Sequence, residues 1–453
     1  MRKIIQYMMM ALIAVVLASC ANDISEESTP TVKSNIRFVV DDFPMFEKPS
    51  TRTIGEEDKG KTAWAVGDEI CVKLESKELG TQTATLKYNG VKFEIQDGNS
   101  LCYLDGEPVT AYAYYAPNRR WRNGSLDFKD IYGNPNGTAE FLEATCTVHY
   151  GDDNYVDISF ANATRNYSRL RIATIPKTEI KVDADNFAPT DNPNLLYMTY
   201  TLTSDEKGNA YLYGTFDNNS IVTVKYRGAS LATHKFSKKT ENAKSYALDA
   251  TVISANSAEE IYSAIKQEVA NSKTAIRLNI ASDAGDNEFN AIREAFENVR
   301  GDGTIDLTLI GCKEIPVNGL YRIMALKSIT LPDVTKIRMD ALSSCLYLQE
   351  ICAPNVSAID EYAFGKCRYL RKVTLGKLTD VRGEANSRSG IFDDINDLNP
   401  DIDLYLPKNQ EVMEFDENSK QYIWKPTGES YFAGSDKDNV FLGYQFMSVK
   451  KWE

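Results

Sequence analysis

The sequence predicts a mainly β protein with a smaller α/β part, built as tandem β-sandwiches followed by a short repeat solenoid. Three observations carry this reading. Residues 34 to 250 alternate apolar and polar positions with period 2 between turn residues, and very little there repeats every 3.6. The chain has 25 Tyr and 18 Phe beside 4 Trp, a balance that favours strands. Beyond residue 300 an apolar pattern recurs every 22 residues. With 453 residues the chain is long enough for several domains, each with its own core.

At the N-terminus, Arg2 and Lys3 precede an apolar run from Ile4 to Ala18, too short to cross a bilayer comfortably. Charge followed by a short apolar run is the pattern of a secretory signal, here residues 1 to 19. The run ends Leu17-Ala18-Ser19-Cys20, which resembles the bacterial lipobox. That resemblance implies that Cys20 is diacylated and becomes the mature N-terminus. Two acyl chains, at about 0.8 kcal/mol per buried CH₂, hold a protein on a membrane without a spanning helix. Residues 20 to 33 form a polar tether containing Asn22, Asp23, Ser25, Glu26 and Glu27. In lipoproteins of the Bacteroides group such an acidic stretch is similar to a surface-export signal; a plain flexible linker reads equally well. The expected location is the outer membrane, lipid-anchored and exposed at the cell surface.

Two sandwiches follow, expected over 34–145 and 146–253. Ile36, Phe38 and Val40 alternate, as do Ile70, Val72 and Leu74. Leu86 and Tyr88, then Asn89-Gly90, then Val91, Phe93 and Ile95 read as a hairpin with a type I′ turn. Thr51-Arg52-Thr53 and Trp64-Ala65-Val66-Gly67-Asp68-Glu69-Ile70 resemble the start of a fimbrillin-family protein of the Bacteroidetes. Ile158-Ser159-Phe160 leading into Ser168-Arg169-Leu170-Arg171-Ile172 is similar to the start of that family's second domain; Asn162 departs from it, standing where many relatives carry His. The resemblance implies transthyretin-like sandwiches. It also implies, for polymerising members, removal of the first strand by an Arg-specific protease so that a neighbour's strand fills the groove. Arg52 stands where that cut would fall; its plain reading is an uncut loop residue, since a further domain follows where the family's donor strand would need to be free.

Residues 254–453 are expected to form a repeat domain with a helical N-terminal cap and an irregular C-terminal cap. Ser257-Ala258-Glu259-Glu260 has the capping-box pattern, and Ile261, Ala264, Ile265 and Val269 continue one helical face. Phe289, Ile292, Phe296 and Val299 mark a second helix, closed by Gly301. Leu326, Leu348 and Leu370 then open three units, with Ile329, Ile351 and Val373, and Val334, Val356 and Leu378, in phase. Ile337, Ile359 and Val381 follow in the same register, and Leu307, Cys312, Ile315 and Leu320 form a degenerate leading coil. Twenty-two residues fall within the period of leucine-rich repeats, whose units stack to bury one continuous core. Leu-x-x-Ile followed by Ala-Phe-x-x-Cys, clearest over Leu348 to Cys367, resembles the BspA-type leucine-rich repeats of bacterial surface proteins.

The chemistry legible in the chain is sparse. Lys plus Arg is 51 against 64 for Asp plus Glu, a formal charge of −13 that argues against nucleic acid as partner. Only His149 and His234 are present, which disfavours most His-dependent catalysis and zinc chemistry. Cys345 and Cys367 stand one repeat apart, either as buried thiols or as a disulfide. Asp393, Asp394, Asn396, Asp397, Asn399, Asp401 and Asp403 lack the order of a calcium loop and read as solvated. Lys327, Gln349 and Arg371 project from the sheet or its edge, while Tyr347 and Tyr369 stack one coil apart. Such a surface suits a protein or glycan partner or merely covers the edge of the solenoid. The expected function is a binding or adhesion module without catalysis, cofactor or metal, contacting host or bacterial surface proteins or glycans. The alternative is a fimbrial tip or accessory subunit, with fimbrial subunits as partners, accepting a donor strand after cleavage near Arg52.

Overall fold

The computed structural model describes residues 32–33, 36–49, 59–96, 101–104, 106–117, 119–122, 125–127, 136–151, 154–161, 165–192, 194, 197–299, 302–383, 390–392, 402–416, 422–433 and 438–452. Cys20, Arg52, Asn162, Gly301 and the acidic run from Asp393 to Asp401 lie outside the described residues. The chain divides into two compact units. The first joins the described residues up to Asp41 with Ala65–Ala113 and Ala144–Ser159; the second holds Asp42–Trp64, Tyr114–Glu143 and everything from Phe160 onward.

The first unit is built on a seven-stranded sheet in which period-2 alternation aims one face inward. Its order is Arg37–Val40, Tyr155–Ser159, Leu142–His149, Val109–Tyr115, Glu69–Ser76, Gly80–Tyr88 and Phe93–Ile95. Ile70, Val72, Leu74, Leu86, Val156 and Ile158 are buried, as their alternation requires. The expected boundary between residues 145 and 146 falls inside the strand Leu142–His149, and that strand pairs with Tyr155–Ser159 in this first sheet. The Asn89-Gly90 hairpin forms, but with a four-residue connection instead of two, because Tyr88 pairs with Phe93. Asn89 closes it by accepting from the N–H groups of Val91 at 2.9 Å and Lys92 at 3.0 Å, and Gly90 takes the left-handed φ of +102°. Val91 therefore points outward, 86% exposed, and is not a core residue.

The second unit begins with a sheet ordered Tyr197–Thr203, Glu179–Pro189, Asn209–Tyr226, Ser168–Ala173 and Ser245–Asp249, with Ala229–Lys235 branching from Asn209–Tyr226. The eighteen-residue strand pairs with Glu179–Pro189 along one edge, while along the other its first half pairs Ser168–Ala173 and its second half Ala229–Lys235. An irregularity between Asp185 and Phe187 lets the neighbouring strand bend with it. Leu170, Ile172, Val182, Phe187, Tyr200, Leu212, Phe216 and Val224 fill the core between.

Helices α1 (Ala258–Ala270) and α2 (Asp286–Phe296) then open the repeat domain. Ser257 caps α1 by accepting from the Glu260 N–H at 3.3 Å, and Ile261 and Ile265 are its buried face. The second helix ends at Phe296, short of Gly301, and Val299 packs beside the core from beyond its end. The repeats build two sheets. An eight-stranded sheet runs Ile253–Ser254, Ala275–Asn279, Ile305–Ile310, Leu326–Thr330, Glu350–Ala353, Lys372–Leu375, Asp403–Pro407 and Ser448–Trp452, all parallel. A second sheet carries Glu314–Ile315, Lys336–Ile337, Ala358–Ile359 and Asp380–Arg382, and ends in the antiparallel hairpin of Ile423–Ser430 and Glu411–Phe415. Ile329, Ile351 and Val373 are direct register partners, as are Ile337, Ile359 and Val381. All are buried between the sheets. Among the described residues no helix is long and apolar enough to cross a membrane.

Candidate binding surface of the repeat domain

In each coil the leucine that opens the strand points into the core, which forces the residue after it outward. Leu326, Leu348 and Leu370 are buried; Lys327, Gln349 and Arg371 are exposed. Their backbones are bonded coil to coil: the Gln349 N–H donates to the Lys327 carbonyl at 2.7 Å, and the Arg371 N–H to the Gln349 carbonyl at 2.8 Å. The three side chains thus share one column at the start of adjacent strands. Arg371 turns part of its guanidinium back, Nη1 donating to the Leu370 carbonyl at 3.0 Å.

Tyr347 and Tyr369, each just before the leucine of its coil, stack as expected from their spacing. The rings of Tyr347 and Tyr369 lie 5.4 Å apart and 8° from parallel, and Tyr369 is 50% exposed. A hydrogen bond to Asp302 pushes the Tyr347 phenol above its ordinary pKa, because the neighbouring carboxylate disfavours a phenolate. The result is a strip of two stacked rings beside a basic and amide column, with reach for a flat partner.

Cys345 and Cys367 are free thiols, and each donates back across one coil, to the Leu320 carbonyl at 3.1 Å and the Leu342 carbonyl at 3.2 Å. His149 stacks on Tyr155 at 4.1 Å and faces Asp157 at 3.3 Å, while His234 meets the edge of Phe236 at 4.6 Å. Asp403, the one member of the acidic run within the described residues, is held by Ser448 and by Lys450 at 3.0 Å.

Sequence reasoning passed over two features of this domain. One is Asp333, which looks like an exposed turn residue yet is buried, pairing with Arg227 of the preceding sandwich and accepting from the Gly311 N–H at 2.9 Å. The other is the outward row on the long sheet, in which Lys372 bonds Glu350 at 2.6 Å across one coil. Its signal was available, since these outward positions share the 22-residue period of the core.

The molecule is thus a β-rich chain ending in a leucine-rich repeat solenoid. Residues 292–393 match the family model of the BspA type leucine rich repeat region, in six copies. No curated protein matches the chain. Among solved structures it is similar to a candidate cell adhesion protein of Bacteroides fragilis, at 12% identity over 48% of this chain and 92% of that one, with a TM-score of 0.23. A shaft pilin of Lactobacillus rhamnosus GG matches at 12% identity over 49% of this chain and 97% of that one, TM-score 0.20. The fimbrial anchor protein of Porphyromonas gingivalis matches at 10% identity over 44% and 80%, TM-score 0.19. Scores this low do not establish a shared fold.

Proposed function

We propose that the protein is a non-catalytic binding module of the cell surface: an outer-membrane lipoprotein, acylated at Cys20, whose repeat domain contacts a host or bacterial surface protein or glycan. The observation that carries this reading is the Tyr347–Tyr369 stack beside the column of Lys327, Gln349 and Arg371. Tyrosine and arginine on a rigid scaffold give large contact area at little cost in side-chain entropy, and both are enriched where partners dock. The test is binding of the full chain to immobilised host matrix proteins, glycans and cell surfaces. Tyr369→Ala combined with Arg371→Glu is expected to weaken the best interaction by roughly tenfold or more while leaving the melting temperature unchanged. Unchanged binding would remove this surface from consideration.

A second reading, as a fimbrial tip or accessory subunit, is favoured by one feature. Among the described residues the strand Arg37–Val40 ends the first sheet and pairs in parallel with Tyr155–Ser159. An edge strand of this kind is the element that strand exchange would replace.

A further inference from the structure

The outer face of the long parallel sheet carries a hollow distinct from the tyrosine strip. Two rows cross the coils there in register: Glu350, Lys372 and Asp403 in one, Thr330, Cys352, Thr374 and Tyr405 in the next. Its side wall is the sandwich hairpin around Gly228, with Trp452 from the last strand. The hollow measures about 520 Å³, and an adjoining one of about 1100 Å³ shares Lys225, Gly228 and Trp452. The first volume is in the range of small-molecule sites, roughly 300 to 1,000 Å³, and the adjoining one slightly exceeds it. The wall is fixed: Arg227 pairs with buried Asp333, Asn355 donates to the Arg227 carbonyl at 3.0 Å, and the Trp452 indole donates to the Leu375 carbonyl at 3.0 Å.

The lining decides what fits. Tyr405 is flanked by the ammonium groups of Lys372 at 5.7 Å and Lys450 at 5.5 Å. The lysines beside Tyr405 and at the wall of this hollow each have an acidic partner: Lys372 with Glu350 at 2.6 Å, Lys450 with Asp403 at 3.0 Å and Lys225 with Asp183 at 2.5 Å. Local charge is therefore balanced, which gives an anion no advantage, while the paired groups stay fixed as donors and acceptors. Rings, hydroxyls and balanced charges suit a ligand with an apolar face and many hydroxyls; a lipid or an apolar peptide side chain would strand these polar groups unpaired.

We propose that this hollow binds a neutral oligosaccharide, with Tyr405 and Trp452 as stacking platforms and Glu350, Lys372 and Thr374 hydrogen bonding to its hydroxyls. The inference rests on the reading of the repeat domain as a binding module, but uses none of the residues that carry that reading. The experiment screens the full chain against neutral, sialylated and sulfated oligosaccharides. A neutral oligosaccharide should be retained, and Tyr405→Ala should weaken it at least about tenfold. Thr374→Arg, which fills the hollow from an outward position without touching the core, should do the same, and Tyr369→Ala should leave binding unchanged. Retention of no neutral oligosaccharide, of anionic ones only, or equally by both hollow variants overturns the assignment. Protein or cell binding that is lost with Tyr369→Ala while no oligosaccharide is retained removes the hollow and keeps the tyrosine strip.

Discussion

The thiols of Cys345 and Cys367 show how much a single residue's direction decides. Repeat spacing alone permits a disulfide, since parallel strands of adjacent coils lie about 5 Å apart. In the structure both sulfurs instead point along the stack and donate to carbonyls one coil back. Burial pushes the Cys345 thiol up to about 12 and the Cys367 thiol well above its ordinary value, because neither thiolate would be solvated. Both residues should therefore resist iodoacetamide at pH 8 in the folded protein and react fully in denaturant, as read by peptide mass spectrometry. A linked peptide joining positions 345 and 367 would contradict this. The phase of these cysteines was legible in the sequence; their rotamer was not, since no pattern of neighbours encodes it.

At the scale of elements, the repeat was the most legible part, because one 22-residue period fixes strand phase, register and core together. Leu348, Ile351, Val356, Ile359 and Ala363 all lie at the expected inward positions. Ends were less legible: α2 stops at Phe296, and the hairpin at Asn89 gained two loop residues, its Asn89 side-chain oxygen accepting from the Val91 and Lys92 N–H groups. The joint between the second sandwich and the solenoid had no sequence signal, being made by residues 106 positions apart, Arg227 and Asp333. Its energetics are asymmetric. Removing the buried Asp333 carboxylate leaves the half-buried Gly311 N–H without its acceptor as well as unpairing Arg227 and Lys313, for a cost of about 1–3 kcal/mol. The Arg227 side chain is 53% exposed and water replaces much of what it loses, so Arg227→Ala should cost less. Urea denaturation should rank Asp333→Ala well below Arg227→Ala in stability; equal losses would mean that the ion pair with Arg227, not the bond to the Gly311 amide, holds the joint.

For the whole molecule, the open choice lies between an anchored module that starts at Cys20 and a processed subunit that starts after Arg52. Residues on both sides of Arg52 are tied down in the second unit. Phe43 meets Trp64 at 4.8 Å and Tyr115 at 5.3 Å, the Phe46 ring lies 3.8 Å from the Arg165 guanidinium, and the Phe46 N–H donates to the Lys59 carbonyl at 3.0 Å. Glu47 adds backbone bonds to Ala243 and Ser245, both 3.0 Å. Burying two phenylalanine side chains is worth about 1.5–3 kcal/mol each. A cut between these contacts would thus leave the upstream piece bound, and exchange of the first strand would first have to displace Phe43 and Phe46. Cleavage at Arg52 alone is a poor release mechanism for this chain, which favours the anchored form. Mass spectrometry of the mature N-terminus, on material removed by protease shaving of intact cells, should find an acylated Cys20. A start just after Arg52, with the upstream peptide absent, would show that the aromatic contacts do yield, and would make the chain an assembling subunit.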